Sequence, residues 1–425
     1  MGHLTPSLRL AAALSTRGCR VTLITPHPNV SLAESNHLSA FLSSHPTIDH
    51  HPYHLPPSSH PTVDDPFFEQ VHAIRCSLHL LRSILDRISL TALVTDIFFA
   101  DSITGILSDL DHTPQLRPLH FFRQIPSSRI SSHSTHGRRA AAVWESRARI
   151  PPCFAAGKRQ STAQVDGVLV NTFSGFEATA LEALNNGRVV RNLPPILPSG
   201  MLPPVQMDIQ GGGGGDEVVV GWLDAQPPGS VVLLSFGSRT AMSRDRIAEI
   251  AEALELSKQR FVWILKGSKV DREDKDDPFL DRIRAGGRSG LVMREWVDQA
   301  KILSHPAIGG FVSHCGWNSV TEAAARGVPV LAWPLNGDQK VNAEVVVEAG
   351  VGTWDRNWGW GGERLVGGGE IVRKLMELMG DAELKRRAAS VGEETRRAVD
   401  DGGSFDRLLK LIENKSNNSD FATGG

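Results

Sequence analysis

The residues whose types and spacing best suit a chemical task lie between Trp296 and Gln339. Aromatic, amide, hydroxyl, imidazole and carboxylate side chains recur there at the borders of short apolar runs. These residues are Trp296, Val297, Gln299, His314, Gly316, Trp317, Asn318, Ser319, Glu322, Asp338 and Gln339. Flat faces suit a base, N–H donors suit a diphosphate, and carboxylate and amide groups suit sugar hydroxyls. The set therefore suits a nucleotide, its diphosphate and a sugar bound in a row.

The elements that must position these groups can be inferred from the same stretch. Residues 309–314 predict a short buried strand that runs into a turn, where Gly316 permits a close backbone approach. Asn318 and Ser319 can begin a helix, which the Gly-Val-Pro of 327–329 is expected to end. Unpaired N–H groups and the positive dipole end at the start of this helix predict a diphosphate seat.

The sugar end of the site is predicted to follow a second buried strand, residues 330–333. Ligands of open α/β sheets bind beyond the carboxyl ends of the strands, which is where Asp338 and Gln339 would lie. Glu322, three residues after Ser319, is one turn into the helix and within reach of a ribose diol.

Two further positions are candidates for contacts with the nucleotide. Trp296 offers a flat face on which a base can stack. Residues 231–238 predict another strand, at whose end Gly237 and Ser238 could touch the β-phosphate. A turn with a purely structural role is the alternative for Ser238.

If the bound sugar is transferred to a hydroxyl-bearing second substrate, the acceptor, its proton must be removed. This step requires a base and a group that orients the base. His3 is the leading base, since imidazole titrates near neutral pH and this residue lies at the turn before the first helix. Asp96, at the end of a predicted strand, is the leading orienting carboxylate. Spacing alone leaves other histidines open, because fourteen of the sixteen precede residue 140.

Most other histidines of the first half lie in loop-like sequence. They include His27, His45, His50, His51, His54 and His60. A metal cluster is the alternative to solvated loops, but no convincing ligand spacing supports it. We therefore expect neither a metal nor a cofactor.

Length and composition limit the function classes. A chain of 425 residues is expected to form two domains. Its 45 basic and 47 acidic residues, with a net charge of −2, give no reason to expect nucleic acid or an anionic membrane as a partner. Four widely spaced cysteines and the lack of a membrane-length apolar run favour a reduced, cytoplasmic enzyme, which we expect to be a monomer.

The predicted fold class is α/β, with two facing Rossmann-like domains and a cleft between them. An acceptor-binding domain is expected over 1–195, a Pro- and Gly-rich linker over 196–216, a second domain over 217–413 and a tail over 414–425. A strand normally precedes the first turn of such a domain, and this strand is missing here.

Residues 111–150 are atypical of this fold. They are rich in His, Arg, Ser and Pro, with neither the helical nor the strand period. Our hypothesis is a frameshifted or mis-spliced segment, and a variable surface loop is the alternative. Transcript sequencing distinguishes them, because an unaltered in-frame transcript would contradict the hypothesis.

The stretch from Trp296 to Gln339 resembles the signature box of plant family 1 glycosyltransferases, which transfer sugars from UDP-sugars to small metabolites. The shared motifs are W..Q, L.H, GGF.SHCGWNS..E, GVP.LAWP and DQ. The resemblance implies a fold of the GT-B type. It also implies that uracil stacks on Trp296, that the nucleoside contacts Gln299 and that the ribose binds Glu322. The diphosphate would then be held by His314, Asn318, Ser319 and the Trp317 backbone, and the sugar by Asp338 and Gln339. The resemblance further implies UDP-glucose as donor substrate, and its G-H-x-x-P turn supports His3 as base.

A finer resemblance is to plant C-glucosyltransferases that act on flavonoid-type polyphenols. Its motifs lie at 2–6, 21–26, 65–67, 235–242 and 270–275. It implies that His3 deprotonates a phenol and that the ortho carbon attacks the anomeric carbon, with inversion to a β-C-glycoside. Ile97, Phe67 and Phe99 become candidates for the acceptor pocket, with plain core packing as the alternative.

Two other functions stay open. One is an O-glucosyltransferase that acts on phenolic hydroxyls. The other is an inactive paralogue that binds a UDP-sugar or a polyphenol. The expected partners are a UDP-sugar and a small polyphenol, with no nucleic acid and no membrane insertion.

Overall fold

In the computed structural model the chain forms two compact units of parallel strands and helices. One unit comprises Met1–Ile209 with Arg397–Gly425, and the other comprises Gln210–Arg396. The structure describes residues 4–29, 31–55, 66–88, 90–96, 103, 119–122, 165–188, 192–205, 215–237, 242–265, 290–295, 297–335, 338–358, 364–400 and 402–422.

The described strands of the first unit form two parallel sheets. They are β1 (Thr22–His27), β2 (Asp49–His54), β3 (Val94–Asp96), β4 (Leu119–Phe122), β5 (Gly167–Val170) and β6 (Ile196–Pro198). β1 pairs with β2, and the other four strands follow the order β3-β4-β5-β6. The atypical segment 111–150 thus supplies one paired strand, β4, and its other residues lie outside the described ones.

Helices cover the strands of the first unit because their apolar faces need burial. They are α1 (Leu4–Thr16), α2 (Leu32–Ser44), α3 (Pro66–Ser77), α4 (Arg82–Leu85), which follows a 3-10 turn (Leu78–Leu81), and α5 (Ser174–Asn185). In α1, Leu10 and Leu14 recur one turn apart and pack against Leu169 of β5, as helical periodicity requires. Another face of α1 carries Leu8, which packs with Phe41 of α2.

The second unit contains one six-stranded parallel sheet in the order β12-β11-β10-β7-β8-β9. Its strands are β7 (Val231–Ser235), β8 (Arg260–Ile264), β9 (Gly290–Met293), β10 (Ile308–Ser313), β11 (Val330–Ala332) and β12 (Gly352–Trp354). Every residue of the central strands β7 and β10 is buried, as expected for parallel strands covered on both faces.

The helices of this unit are α6 (Gly215–Asp224), α7 (Arg244–Ser257), α8 (Gln299–Leu303), α9 (Trp317–Arg326), α10 (Gln339–Glu348), α11 (Gly368–Gly380) and α12 (Ala382–Val399). Large aromatic side chains fill the core beneath the end of β11. The Trp333 ring lies 4.4 Å from that of Trp358 and 5.5 Å from that of Phe236, measured between ring centroids. This packing holds the segment that follows β11 against the sheet.

The domain boundaries differ from the predicted ones. The chain returns to the first unit at Arg397, whereas the second domain was predicted to extend to residue 413. The predicted linker 196–216 contains β6 and the start of α6, and the predicted tail belongs up to Ala422 to a helix, α13 (Ser404–Ala422). Phe405 and Leu408 of α13 are each 1% exposed in the core of the first unit. Burial of this apolar face explains why the C-terminal helix belongs to the first unit and not to the second.

Candidate active site

The predicted donor-binding residues converge because three central strands of the second unit end at the same level. Ser313, the last residue of β10, is in register with Ser235 of β7 and with Ala332 of β11. Parallel strands present their carboxyl ends at one edge of a sheet, where ligands of such folds bind. The segments that follow these ends carry His314, Gly237 and Trp333.

His314 occupies a space that two glycines leave open. A Cβ atom at Gly237 would lie 2.6 Å from His314 Nε2, and a Cβ atom at Gly316 would lie 2.5 Å from it. No real side chain tolerates such a distance, so glycine is required at both positions while the imidazole keeps its place. The motif glycines thus act through the placement of the histidine.

The N-terminus of α9 has the geometry expected of an anion seat. Its first residue, Trp317, has a fully buried indole, so any contact with a ligand must use its backbone. Gly316 occupies the cap position, and no side chain of the described residues caps this end of the helix. The helix dipole and the first N–H groups therefore offer positive potential beside Asn318 and Ser319.

Gln299, Ser319 and Glu322 form one hydrogen-bonded group. Gln299 Nε2 donates to Ser319 Oγ at 3.0 Å and to Glu322 Oε2 at 2.8 Å. Ser319 and Glu322 are 6% and 8% exposed, and Val297 beside them is 5% exposed. The side chains expected to contact the nucleoside, the diphosphate and the ribose therefore hold one another in place through hydrogen bonds.

Asp298 holds this group in place, and the sequence analysis missed it. Its Oδ1 accepts hydrogen bonds from the N–H groups of Ala300 and Lys301 at 3.0 and 3.1 Å, which caps α8. Its own N–H donates to Asp216 Oδ1 at 2.9 Å. An aspartate directly before a helix that begins at Gln299 is a recognisable capping signal, whereas no sequence signal links Asp216 to this loop.

Burial raises the pKa of Asp298. The backbone hydrogen bonds that it accepts oppose this shift, and the nearby carboxylates of Glu322 and Asp216 reinforce it. Repulsion among the acidic side chains around α8 therefore lowers the stability of the folded state. The cap that Asp298 provides nevertheless positions Gln299.

Asp338 occupies the cap position of α10, and Gln339 is the first residue of this helix, which follows β11 in the chain. Gln339 is 9% exposed, and its Oε1 accepts a hydrogen bond from Leu335 N at 2.8 Å. This bond closes the segment between β11 and α10. Because that oxygen accepts a hydrogen bond from the backbone, the Gln339 side chain offers a ligand the donor group of its amide, the NH₂.

Several predicted residues lie outside the described part of the chain. They are His3, Ile97, Phe99, Ser238 and Trp296. Phe67 belongs to α3, and nothing is said of its side chain. Asp96 is the last residue of β3 and is half-buried, and α1 begins directly after His3, at Leu4. The base and its orienting carboxylate therefore stay predictions.

Metal-binding clusters and membrane spans are two features that can be stated for the described residues only. These residues contain no group of three or more His, Cys, Asp or Glu side chains that could hold a metal ion. In the same part of the chain, no helix is long and apolar enough to cross a bilayer.

The Cys315 thiol lies fully buried beneath the site, and this burial raises its pKa to about 12.

Comparison with known proteins decides the family. A family model described as UDP-glucoronosyl and UDP-glucosyl transferase matches residues 221–356, which include the anion seat and both ends of the site. UDP-glycosyltransferase 708G2 of Citrus unshiu is 40% identical over 450 residues, covering 98% of this chain and 94% of that protein. The chain belongs to the UDP-glycosyltransferase family.

Two other comparisons show which members of the family and which solved structure this UDP-glycosyltransferase is similar to. A UDP-glycosyltransferase named CGT, from Oryza sativa subsp. indica, is 39% identical, covering 96% of this chain and 92% of its own. The crystal structure of LpCGTa in complex with UDP superposes with a TM-score of 0.81 at 37% identity, covering 98% of this chain and 96% of that one. The predicted α/β fold of the GT-B type and the predicted enzyme class are therefore confirmed.

Proposed function

We propose that this UDP-glycosyltransferase transfers glucose from UDP-glucose to a ring carbon of a flavonoid-type polyphenol and forms a β-C-glycoside with inversion. The observation that carries the proposal is the likeness, over nearly the whole chain, to proteins named CGT and LpCGTa, which we interpret as C-glucosyltransferases. The sequence motifs shared with plant C-glucosyltransferases point the same way.

In the proposed donor complex, each group of the site has one task. Uracil stacks on Trp296, and the nucleoside meets Gln299 and Glu322. The diphosphate lies at the N-terminus of α9 against His314, Asn318 and Ser319, with Ser238 at the β-phosphate. Asp338 and Gln339 hold the glucose hydroxyls.

The proposed chemistry begins with removal of a phenolic proton by His3, which Asp96 orients and stabilises as imidazolium. The phenolate places electron density on its ortho carbon, which attacks the anomeric carbon of glucose. A carbon–carbon bond forms as the bond from the anomeric carbon to the UDP oxygen breaks, and UDP leaves with the electron pair. Loss of the ring proton to solvent then restores aromaticity, and the His3 imidazolium returns its proton to the phenolate oxygen.

No metal is assigned in this proposal. The charge that develops on the leaving diphosphate would be met by the positive end of α9 and by the donors of His314, Asn318 and Ser319. We assign Ile97, Phe67 and Phe99 to the apolar wall of the acceptor pocket, and small polyphenols are the proposed acceptors.

The decisive experiment is product analysis. The protein is incubated with UDP-glucose and with phloretin or a 2-hydroxyflavanone, and the products are heated in acid before mass spectrometry. We expect a glucosylated product that survives, because a carbon–carbon bond resists hydrolysis. An acid-labile product would identify O-glucosylation, and stabilisation by UDP without turnover of any polyphenol would identify a binding protein.

His3→Ala and Asp96→Asn separate the chemistry from donor binding. Both substitutions should abolish or strongly reduce turnover, and the affinity for UDP should stay unchanged. Retained turnover in His3→Ala would contradict the assigned base.

A further inference from the structure

Asn342 lies within hydrogen-bond reach of both ends of the donor site, although no motif considered above includes it. It is one turn into α10 and 0% exposed. Its Nδ2 donates to Cys315 O at 2.7 Å and lies 3.5 Å from Asp338 Oδ2. One amide group thus reaches the loop of residues 314–316, called the diphosphate loop below, and the carboxylate proposed to hold the sugar.

The backbone of the diphosphate loop needs such a bond. Cys315 has a φ of +61°, in the left-handed region that residues with a Cβ seldom adopt unless their surroundings hold them there. Its N–H donates to Ser313 Oγ at 3.1 Å, and its carbonyl accepts the Asn342 bond. Because Cys315 and Asn342 are both fully buried, water cannot replace that bond.

The chemistry of the side chain at position 342 is restricted. An amide NH₂ carries two hydrogens and can serve two acceptors, here a carbonyl and a carboxylate. An aspartate of the same shape would place a negative oxygen against the Cys315 carbonyl and the Asp338 carboxylate. An alanine would leave a buried carbonyl without its donor.

We propose that Asn342 is a positioning residue that holds the diphosphate loop and the Asp338 carboxylate at a fixed separation, so that the sugar is aligned when the diphosphate is seated. This inference rests on the proposed function, because it takes Asp338 as the sugar contact. Asn342 itself touches no reacting atom. When Asn342 is replaced, the bond from the Cys315 N–H to Ser313 Oγ still holds the diphosphate loop. Loss of Asn342 should therefore impair use of the sugar donor far more than binding of UDP, which lacks the sugar.

The test compares Asn342→Ala, Asn342→Asp and Asp338→Asn with Val346→Ala, in the full chain. Val346 is 0% exposed on the same helix and packs next to Gly352 of β12, so its truncation destabilises α10 and leaves the bonds of Asn342 in place. We expect Asn342→Ala to lower kcat/KM for UDP-glucose about 10- to 100-fold while the Kd for UDP changes less than about 3-fold. Val346→Ala should lower the Tm at least as much and leave kcat/KM within about 3-fold.

The double variant Asn342→Ala/Asp338→Asn isolates the coupling. If Asn342 acts through Asp338, the double variant should be no more than about 3-fold worse than the worse single variant. Losses that multiply would overturn the inference, as would equal losses in Val346→Ala and Asn342→Ala. Asn342→Asp removes the donor without a change of shape and should lose at least as much kcat/KM as Asn342→Ala. If neither variant folds, Asn342→Ser serves in the same comparison.

The failure of the proposed function gives a different result. The unaltered protein would then give an acid-labile product or no turnover of UDP-glucose, whatever Asn342 does. Asp338→Asn with the turnover of the unaltered protein would show instead that Asp338 does not hold the sugar, and the role of Asn342 would be overturned together with that contact. Impaired turnover in Asp338→Asn, with Asn342→Ala behaving like Val346→Ala, would overturn the role of Asn342 alone.

Discussion

Glu322 is a buried carboxylate that accepts a hydrogen bond from Gln299 at 2.8 Å and is proposed to accept further ones from the ribose of UDP. Hydrogen bonds to a charged group are worth about 1.5–3 kcal/mol, so we expect Glu322→Ala to weaken UDP binding about 10- to 100-fold. Isothermal titration calorimetry measures the change. Glu344→Ala, which removes a surface carboxylate of the same unit, is the control and should bind UDP normally. Equal affinities for both variants would remove Glu322 from the donor site.

Gly316 and Gly221 form a matched pair for a test of the glycine requirement. At Gly316 a Cβ would meet His314 Nε2 at 2.5 Å, whereas at Gly221, inside α6, a Cβ has nothing within 4 Å. Gly316→Ala should displace the imidazole and lower turnover about 100-fold, equivalent to about 2.7 kcal/mol of transition-state stabilisation. Gly221→Ala should keep its turnover and gain about 0.5–1 kcal/mol of stability, because alanine favours helix.

Steady-state kinetics with UDP-glucose and chemical denaturation measure the two effects. Normal turnover in Gly316→Ala would mean that the placement of the imidazole is unimportant for donor use.

At the scale of elements, the short helix α8 depends on its cap. Asp298 accepts two backbone hydrogen bonds, so Asp298→Ala should cost about 1 kcal/mol and raise the KM for UDP-glucose through misplacement of Gln299. Asp298→Asn keeps an oxygen at the cap and removes the charge. The two variants thus separate the cap from its electrostatic cost.

The sign of the pH dependence follows from the pKa of Asp298, which is raised above its ordinary value of 3.8. The folded state binds this proton more tightly than the unfolded state does, so the ionised carboxylate costs stability at neutral pH. Asp298→Asn should therefore have a higher Tm than the unaltered protein at pH 7, and the difference should shrink as the pH falls toward about 4. Calorimetry across this range measures it, and a gain that grows in acid would contradict the assignment.

At the scale of the whole molecule, the C-terminal helix α13 completes the first unit. Phe405 is 1% exposed there, and Arg17, directly after α1, donates to Asp406 Oδ1 at 3.0 Å and to Val399 O at 2.8 Å. Phe405→Ala should cost about 3–5 kcal/mol of the free energy of unfolding. The residues proposed to bind UDP lie in the other unit, so the affinity for UDP should persist below the unfolding transition.

Leu365→Ala is the control for this substitution, since Leu365 is 46% exposed and its truncation should change stability little. Unfolding in urea, monitored by fluorescence, compares the two variants. An unchanged midpoint for Phe405→Ala would show that α13 contributes no stability to the first unit.

Local pattern was sufficient for the parts of this molecule whose partners are close in sequence. Continuous apolar runs predicted β7, β10 and β11, because a parallel strand covered on both faces needs apolar residues throughout. The glycine and the polar residues after β10 predicted the start of α9, because helix starts have a characteristic composition. The predicted position of the donor site followed from these elements, since strands that end at one edge bring their following residues together.

Tertiary structure alone decided the contacts between distant segments. Gln299 bonds to Glu322, Asp216 holds the loop of Asp298, and Asn342 reaches Cys315. The spacing of Phe405 and Leu408 predicts an apolar helical face, but only the folded chain shows that the first unit buries it. The physical reason is that periodicity encodes which side of an element must be buried. Which distant group satisfies a buried donor depends on how the whole chain closes around it.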